Sequence, residues 1–242
     1  MKKLAIINYK GGNTASVLNA VNFVNQYGLN NIVKKGSYDI IISDNADIIN
    51  DCEAIILPGV GSFGDCINDL KSLKINGRIS DILHQQVIIR KKKFFGICVG
   101  MQILAEKGYE DGINQGLSWI DGEIVKIDKE NQYNKNNGQN IDKKNLMISP
   151  KEKLRIPQMG WNNVYITKNH HLLNNINDGE HFYFANSYKL ISKNDKIIYG
   201  YAIYGDTVNS IIIKDNIFAT QFHPEKSGKA GLQIIANFLD WQ

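Results

Sequence analysis

The sequence predicts an α/β fold: a mainly parallel central sheet flanked by helices, with a strand-rich second half. Short apolar runs alternate with helix-period segments through the first half of the chain, the pattern of strand–helix units. Gly-rich turns close two of those runs, at Pro58-Gly59-Val60-Gly61 and Gly96-Ile97-Cys98-Val99-Gly100. The 242 residues, 43% hydrophobic and 21% charged, suit one domain with a substantial core.

Leu4 to Asn8 reads as a buried strand, broken by Lys10-Gly11-Gly12-Asn13. Thr14 then caps a helix whose apolar positions include Val17, Leu18, Val21 and Val24, and Gly28 stops it. Ile40–Ser43 and Ala54–Leu57 read as short strands, and Ile79–Ile89 as a helix. Phe94–Ile97 is expected as a strand and Val99–Lys107 as the helix after it. Beyond these, Glu123–Ile127, Val164–Thr167, Phe182–Leu190, Ile197–Ile203, Ser210–Lys214 and Ile217–Phe222 are strand candidates. A last helix covers about Gly228–Asp240. The stretch 128–155 is polar, with few core-forming residues, and reads as a surface insertion within a single domain spanning 1–242.

The formal charge of +4 arises from 28 basic and 24 acidic residues spread along the chain. Arg90-Lys91-Lys92-Lys93 reads as a solvated loop, so no nucleic-acid partner is expected. Cys52, Cys66 and Cys98 are far apart, form no CxxC pair and have no zinc spacing. A reducing compartment fits them. The apolar run after Met1-Lys2-Lys3 is too short for a signal peptide or a membrane span. The expectation is a soluble, cytoplasmic protein with no membrane partner, metal or organic cofactor.

The strongest chemical signal is Gly96-Ile97-Cys98-Val99-Gly100. It matches the small-x-nucleophile-x-small pattern of a nucleophile elbow, with Cys in place of Ser. A sharp strand-to-helix turn needs small neighbours where the chain packs closely. It also presents the thiol at a helix N-terminus, which favours thiolate. A Cys nucleophile needs a base. Among His84, His170, His171, His181 and His223, the last has the best context, Gln221-Phe222-His223-Pro224-Glu225. In an extended chain His223 and Glu225 point to one side, so the carboxylate can orient the imidazole. The backbone N–H of Val99 is one natural oxyanion donor, and the Gly59-Val60-Gly61 turn can supply another.

Together these segments resemble the class I, triad-type glutamine amidotransferases. Gly-Ile-Cys-Val-Gly-Met-Gln at 96–102, Phe-His-Pro-Glu at 222–225 and Pro-Gly-Val-Gly-Ser-Phe at 58–63 carry the resemblance. Within that family the chain is most similar to the glutaminase subunits of imidazole glycerol phosphate synthases. Tyr9 to Asn13, Pro157 to Asn162, Asn186-Ser187-Tyr188 and Phe222 to Ser227 match in order. The resemblance spans nearly the whole chain apart from 128–155.

The resemblance implies that Cys98, His223 and Glu225 form the triad, with Val60 and Val99 at the oxyanion positions. It implies that Gly59, Gly61, Gln102, Glu110, Ser187 and Tyr188 line a glutamine pocket, with Glu110 near the substrate ammonium group. It places Asn13, Trp161 and Lys226 on the face that docks a separate cyclase subunit. That partner would receive the ammonia and make imidazole glycerol phosphate for histidine. Four positions in three segments depart from the family pattern: Asn8 for Asp and Lys10 for Gly, Gln158 for His, and Asn186 for His. They lie in docking or gating regions and leave the triad intact. They leave a second destination open, a synthase that modifies a surface sugar.

Overall fold

A computed structural model describes residues 1–10, 12–29, 35–74, 77–127 and 154–241. Gly11 and almost all of the polar stretch 128–155 lie outside the described residues. The chain begins with β1 (Lys2–Ile7), α1 (Thr14–Tyr27), β2 (Tyr38–Ser43), α2 (Ala46–Asp51), β3 (Ala54–Gly59) and α3 (Phe63–Lys71). A short pair, β4 (Leu73–Lys74) and β5 (Gly77–Arg78), leads into α4 (Ile79–Leu83), which continues as a π-helical segment over His84–Ile89. Next come β6 (Lys93–Cys98), α5 (Val99–Gln102), β7 (Ala105–Gly108), β8 (Asn114–Gln115) and β9 (Ile120–Lys126). The second half contributes β10 (Gln158–Ile166), β11 (Glu180–Asn186), β12 (Tyr188–Ser192), β13 (Ile198–Tyr204), β14 (Asp206–Lys214), β15 (Ile217–Thr220) and α6 (Gly228–Asp240).

Nine strands form one sheet in the order β11-β10-β13-β14-β15-β6-β3-β1-β2. The run from β15 to β2 is parallel, as the alternation of apolar runs and helices requires. The strand-rich second half extends it with antiparallel pairs, so the whole sheet is mixed. Parallel strands covered on both faces are apolar throughout, and Leu4 to Ile7, Ala54 to Leu57, and Phe94, Phe95 and Ile97 are all buried. α1 packs on α6, and α4 packs on α2 and α3. A smaller sheet, β12-β9-β7-β8, joins residues from both halves.

The structure corrects four expectations. Thr14 is the first residue of α1 rather than its cap; Asn13 holds the cap position and makes no side-chain cap bond. The helix after Cys98 stops at Gln102, because Ala105–Gly108 is recruited as a strand parallel to β9. Gly108 fits there against the Phe63 ring, where a Cβ would come within 2.8 Å. The single strand expected over Phe182–Leu190 breaks at Ser187. β11 pairs with β10 in the large sheet, whereas β12 pairs with β9 in the small one. β10 begins at Gln158, before the expected Val164, because its first half pairs with β11.

Candidate active site

The parallel register brings the carboxyl ends of three strands together. Gly59 of β3 pairs with Cys98 of β6, and Thr220 of β15 pairs with Ile97 on the other side. Such ends are where open α/β sheets place their ligands. Cys98 terminates β6 with φ 54° and ψ −112°, a backbone conformation that residues with a side chain rarely adopt. The neighbours explain how it persists. A Cβ on Gly100 would stand 2.1 Å from the Leu57 carbonyl oxygen, and one on Gly96 would stand 2.7 Å from the Gly100 oxygen. A Cβ on Gly59 would stand 2.3 Å from the Gly100 nitrogen. Only glycines permit this approach, so the elbow expected from the pentapeptide is built by close packing.

His223 follows β15, and its backbone N–H donates to the Tyr183 carbonyl at 2.9 Å. Its Nδ1 lies 2.9 Å from Oε1 of Glu225 across the turn Pro224–Lys226. Both side chains are almost fully buried. Ser227 braces the turn by donating from Oγ to the His223 carbonyl at 2.6 Å. Burial alone would lower the His223 pKa. Charge on Cys98, hydrogen bonding to Cys98 and Glu225, and the Glu225 charge outweigh it and push the pKa up to about 10. The imidazolium form is thereby favoured beside the sulfur and carboxylate.

The Gly59-Val60-Gly61 turn is held from two sides. The buried Tyr9 hydroxyl donates to the Pro58 carbonyl at 2.7 Å, and the Cys66 thiol donates to the Val60 carbonyl at 3.4 Å. Burial, the first of several causes, pushes the Cys66 thiol up to about 11, so it stays a neutral donor. Val99, the second oxyanion candidate, is the first residue of α5 and is buried.

The pocket candidates converge less uniformly. Glu110 accepts from the Phe63 N–H at 2.7 Å, so it satisfies the start of α3. Burial raises its pKa against that bond, with Asp111 and Asp65 adding to the rise. Tyr188 has a raised pKa through burial and then the charges of Glu110 and Asp111. Ser187 sits at the crossing between the sheets, where its carbonyl accepts from Ile127 at 2.9 Å. Gln102 is buried under the elbow. Its Nε2 donates to the Tyr188 carbonyl at 3.1 Å and to Gln221 Oε1 at 3.0 Å.

Trp161 is 57% exposed on β10, beside the exposed Met159. Trp161 meets the Tyr183 ring edge-on at 6.2 Å, and Lys226 Nζ lies 5.9 Å from that ring. Two of the three docking candidates therefore share one patch, and Asn13 stands at the start of α1. The other histidines make different contacts: the His170 and His171 rings meet at 4.1 Å with a tilt of 35°, His181 lies on β11, and His84 on the π-helical segment. Two departures meet: Gln158 pairs with Asn186 across β10 and β11, and both are buried.

One residue near the nucleophile was missed from the sequence. Gln221 is fully buried, and its Nε2 donates to Cys98 Sγ at 3.7 Å. Its place just before the Phe-His-Pro-Glu segment, one residue beyond β15, was the available signal.

The family model of Glutamine amidotransferase class-I matches residues 6–241. The chain is 35% identical over 237 residues to the imidazole glycerol phosphate synthase subunit HisH of Pelagibacter ubique, covering 98% of this chain and 99% of that one. It is 37% identical over 235 residues to a HisH 1 subunit of Campylobacter jejuni, covering 97% and 98%. Among solved structures, PurLQS from Thermotoga maritima aligns with a TM-score of 0.62 at 17% identity, covering 99% of this chain and 98% of that chain. The glutaminase domain of Trypanosoma brucei CTPS, solved with bound acivicin, aligns with a TM-score of 0.57 at 13% identity, covering 99% and 91%. These two share the fold. On the family match and on the similarity to its full-length relatives, the chain belongs to the class I glutamine amidotransferases.

Proposed function

We propose that this chain is the glutaminase subunit of an imidazole glycerol phosphate synthase, hydrolysing glutamine at Cys98 and passing ammonia to a separate cyclase subunit. The observation that carries the reading is the strained Cys98 elbow beside the buried His223–Glu225 pair. The relatives named as HisH subunits match end to end and support the pathway.

In this reading, the proton of the Cys98 thiol rests on His223 as imidazolium, and the thiolate sulfur attacks the side-chain amide carbon Cδ of glutamine. The carbonyl electrons move onto oxygen, which backbone N–H groups of Val60 and Val99 receive. The tetrahedral intermediate collapses, the Cδ–N bond breaks, and His223 returns its proton to the departing ammonia. Water then adds to the γ-glutamyl thioester, with His223 again as base. The S–Cδ bond breaks and glutamate leaves. Glu225 holds the imidazole by Nδ1 throughout. Glu110, Ser187 and Tyr188 are assigned to the glutamine backbone. The exposed patch of Trp161, with Lys226 beside Tyr183, is assigned to partner docking, and Asn13 to its margin.

The test combines the purified chain with glutamine, the histidine-pathway cyclase and its nucleotide substrate. Glutamine-dependent formation of imidazole glycerol phosphate is expected. Product only with a sugar-modifying synthase would redirect the ammonia and overturn the pathway assignment, while leaving the glutaminase chemistry standing.

A further inference from the structure

We infer that Gln221 is a further catalytic residue, whose side-chain amide donates a hydrogen bond to the sulfur of Cys98, with Gln102 fixing its orientation. This rests on the reading of Cys98 as nucleophile. The geometry follows from the register. β15 runs parallel to β6 with Thr220 opposite Ile97, so the next residue of each strand, Gln221 and Cys98, stands side by side. Gln221 is pinned by its own backbone N–H, which donates to the Ser210 carbonyl at 2.9 Å.

The direction of the Gln221 amide is settled by its other end. Gln102 Nε2 has two hydrogens. One goes to the Tyr188 carbonyl at 3.1 Å and the other to Gln221 Oε1 at 3.0 Å. A carbonyl cannot donate, so the Gln102 amide must present nitrogen to both acceptors. Gln221 must then offer oxygen to Gln102, which turns its Nε2 toward Sγ at 3.7 Å. Both glutamines are buried, where the large majority of polar groups are hydrogen-bonded. The result is a relay from Tyr188, at the assigned substrate pocket, through two amides to the attacking atom.

The amide dipole matters most when sulfur carries charge. That occurs in the attacking thiolate and again when the thioester breaks. The bond therefore favours formation of the thiolate and its release from the thioester, without contacting glutamine. Gln102 is a positioning residue in this scheme: it acts on the sulfur through Gln221.

The experiment measures alkylation of Cys98 by iodoacetamide at neutral pH, read by mass spectrometry of the Cys98 peptide, on the full chain. Glutamine hydrolysis with the cyclase present is measured in parallel. Gln221→Leu is expected to slow alkylation at least about tenfold, the lower end of the range for one hydrogen bond to a charged group. It is expected to lower kcat by a similar factor, with the KM for glutamine within about twofold. Gln221→Glu, nearly isosteric, guards against misfolding of the Leu variant. It replaces the donor by an acceptor and should slow alkylation at least as much. Gln102→Met leaves Gln221 in place but unaimed and should slow alkylation in the same direction. Thermal unfolding checks each fold. Alkylation and kcat within twofold of wild type in a folded Gln221→Leu or Gln221→Glu variant would overturn the inference. Undiminished turnover in Cys98→Ala would instead overturn the reading beneath it, so the two failures are separable.

Discussion

Replacing Glu225 by Gln isolates the charge of the third triad member. The carboxylate is nearly completely buried and meets His223 Nδ1 at 2.9 Å. The amide keeps an oxygen to accept from Nδ1, so the hydrogen bond can survive while the charge does not. Two unit charges about 4 Å apart interact by about 4 kcal/mol at an effective dielectric near 20. Solvent and protein reorganisation reduce this to about 2–3 kcal/mol, the scale found for hydrogen bonds to charged groups. With about 1.4 kcal/mol per factor of ten, kcat should fall roughly 30- to 150-fold. Glu225 meets His223 and not the substrate, so the KM for glutamine should stay within about twofold of wild type. The assay is steady-state glutamine hydrolysis in the presence of the cyclase, with thermal unfolding as a control. A folded Glu225→Gln protein with wild-type kcat would refute the assignment of Glu225 to His223.

Gly100→Ala should drop turnover at least about a hundredfold, because an ångström of misplacement at a reacting group costs that much and the new Cβ would sit 2.1 Å from the Leu57 oxygen; steady-state hydrolysis checks it. Lys189 and Asp206 form a mostly buried ion pair, and Lys189 also donates to the Thr207 carbonyl at 3.1 Å. Asp206→Ala strands that ammonium and should destabilise the protein by about 3 kcal/mol in urea unfolding; no change would mean that the pair is solvated. His223 has a folded pKa of about 10 against an ordinary value of 6.5. The native state then holds more protons than the unfolded chain between these values, so this contribution is full below about pH 6.5 and is lost as pH rises through about 10. Wild-type stability should fall across that window in pH-dependent unfolding. Cys98→Ala should flatten the fall, since the charge on Cys98 is one of the causes of the raised value.

Much of the site was legible because its chemistry is local. The elbow lies in one pentapeptide, and the His223–Glu225 pair spans one turn. The glycines at 59, 96 and 100 announced close packing, which the structure traces to particular carbonyls and backbone atoms. The parallel block was legible from uninterrupted apolar runs. What failed was the reading of short elements whose state depends on distant partners. Ala105–Gly108 follows a helical turn directly and is a strand only because β9 lies alongside. Ser187 divides one run between two sheets, a break marked only by Asn186-Ser187, with no Gly or Pro to force it. α3 was overlooked although Phe63, Cys66, Ile67 and Leu70 are buried at helical spacing and Ser62 caps it by accepting from the Asp65 N–H. There the signal was present, in the shadow of the glycine turn before it. Gln221 was missed for another reason. Its role depends on the register of β15 against β6 and on Gln102, which no single-strand pattern encodes.

The family assignment and the site geometry meet in one chemical event, the bond between Cys98 Sγ and the γ-carboxamide carbon of glutamine. Rapid acid quenching of the chain turning over glutamine with its cyclase, followed by mass spectrometry of the Cys98 peptide, tests that event directly. A γ-glutamyl adduct on Cys98 that forms and decays with turnover is expected, and it should be absent from Cys98→Ala together with all hydrolysis. Glutamine hydrolysis by Cys98→Ala at the wild-type rate would contradict the account.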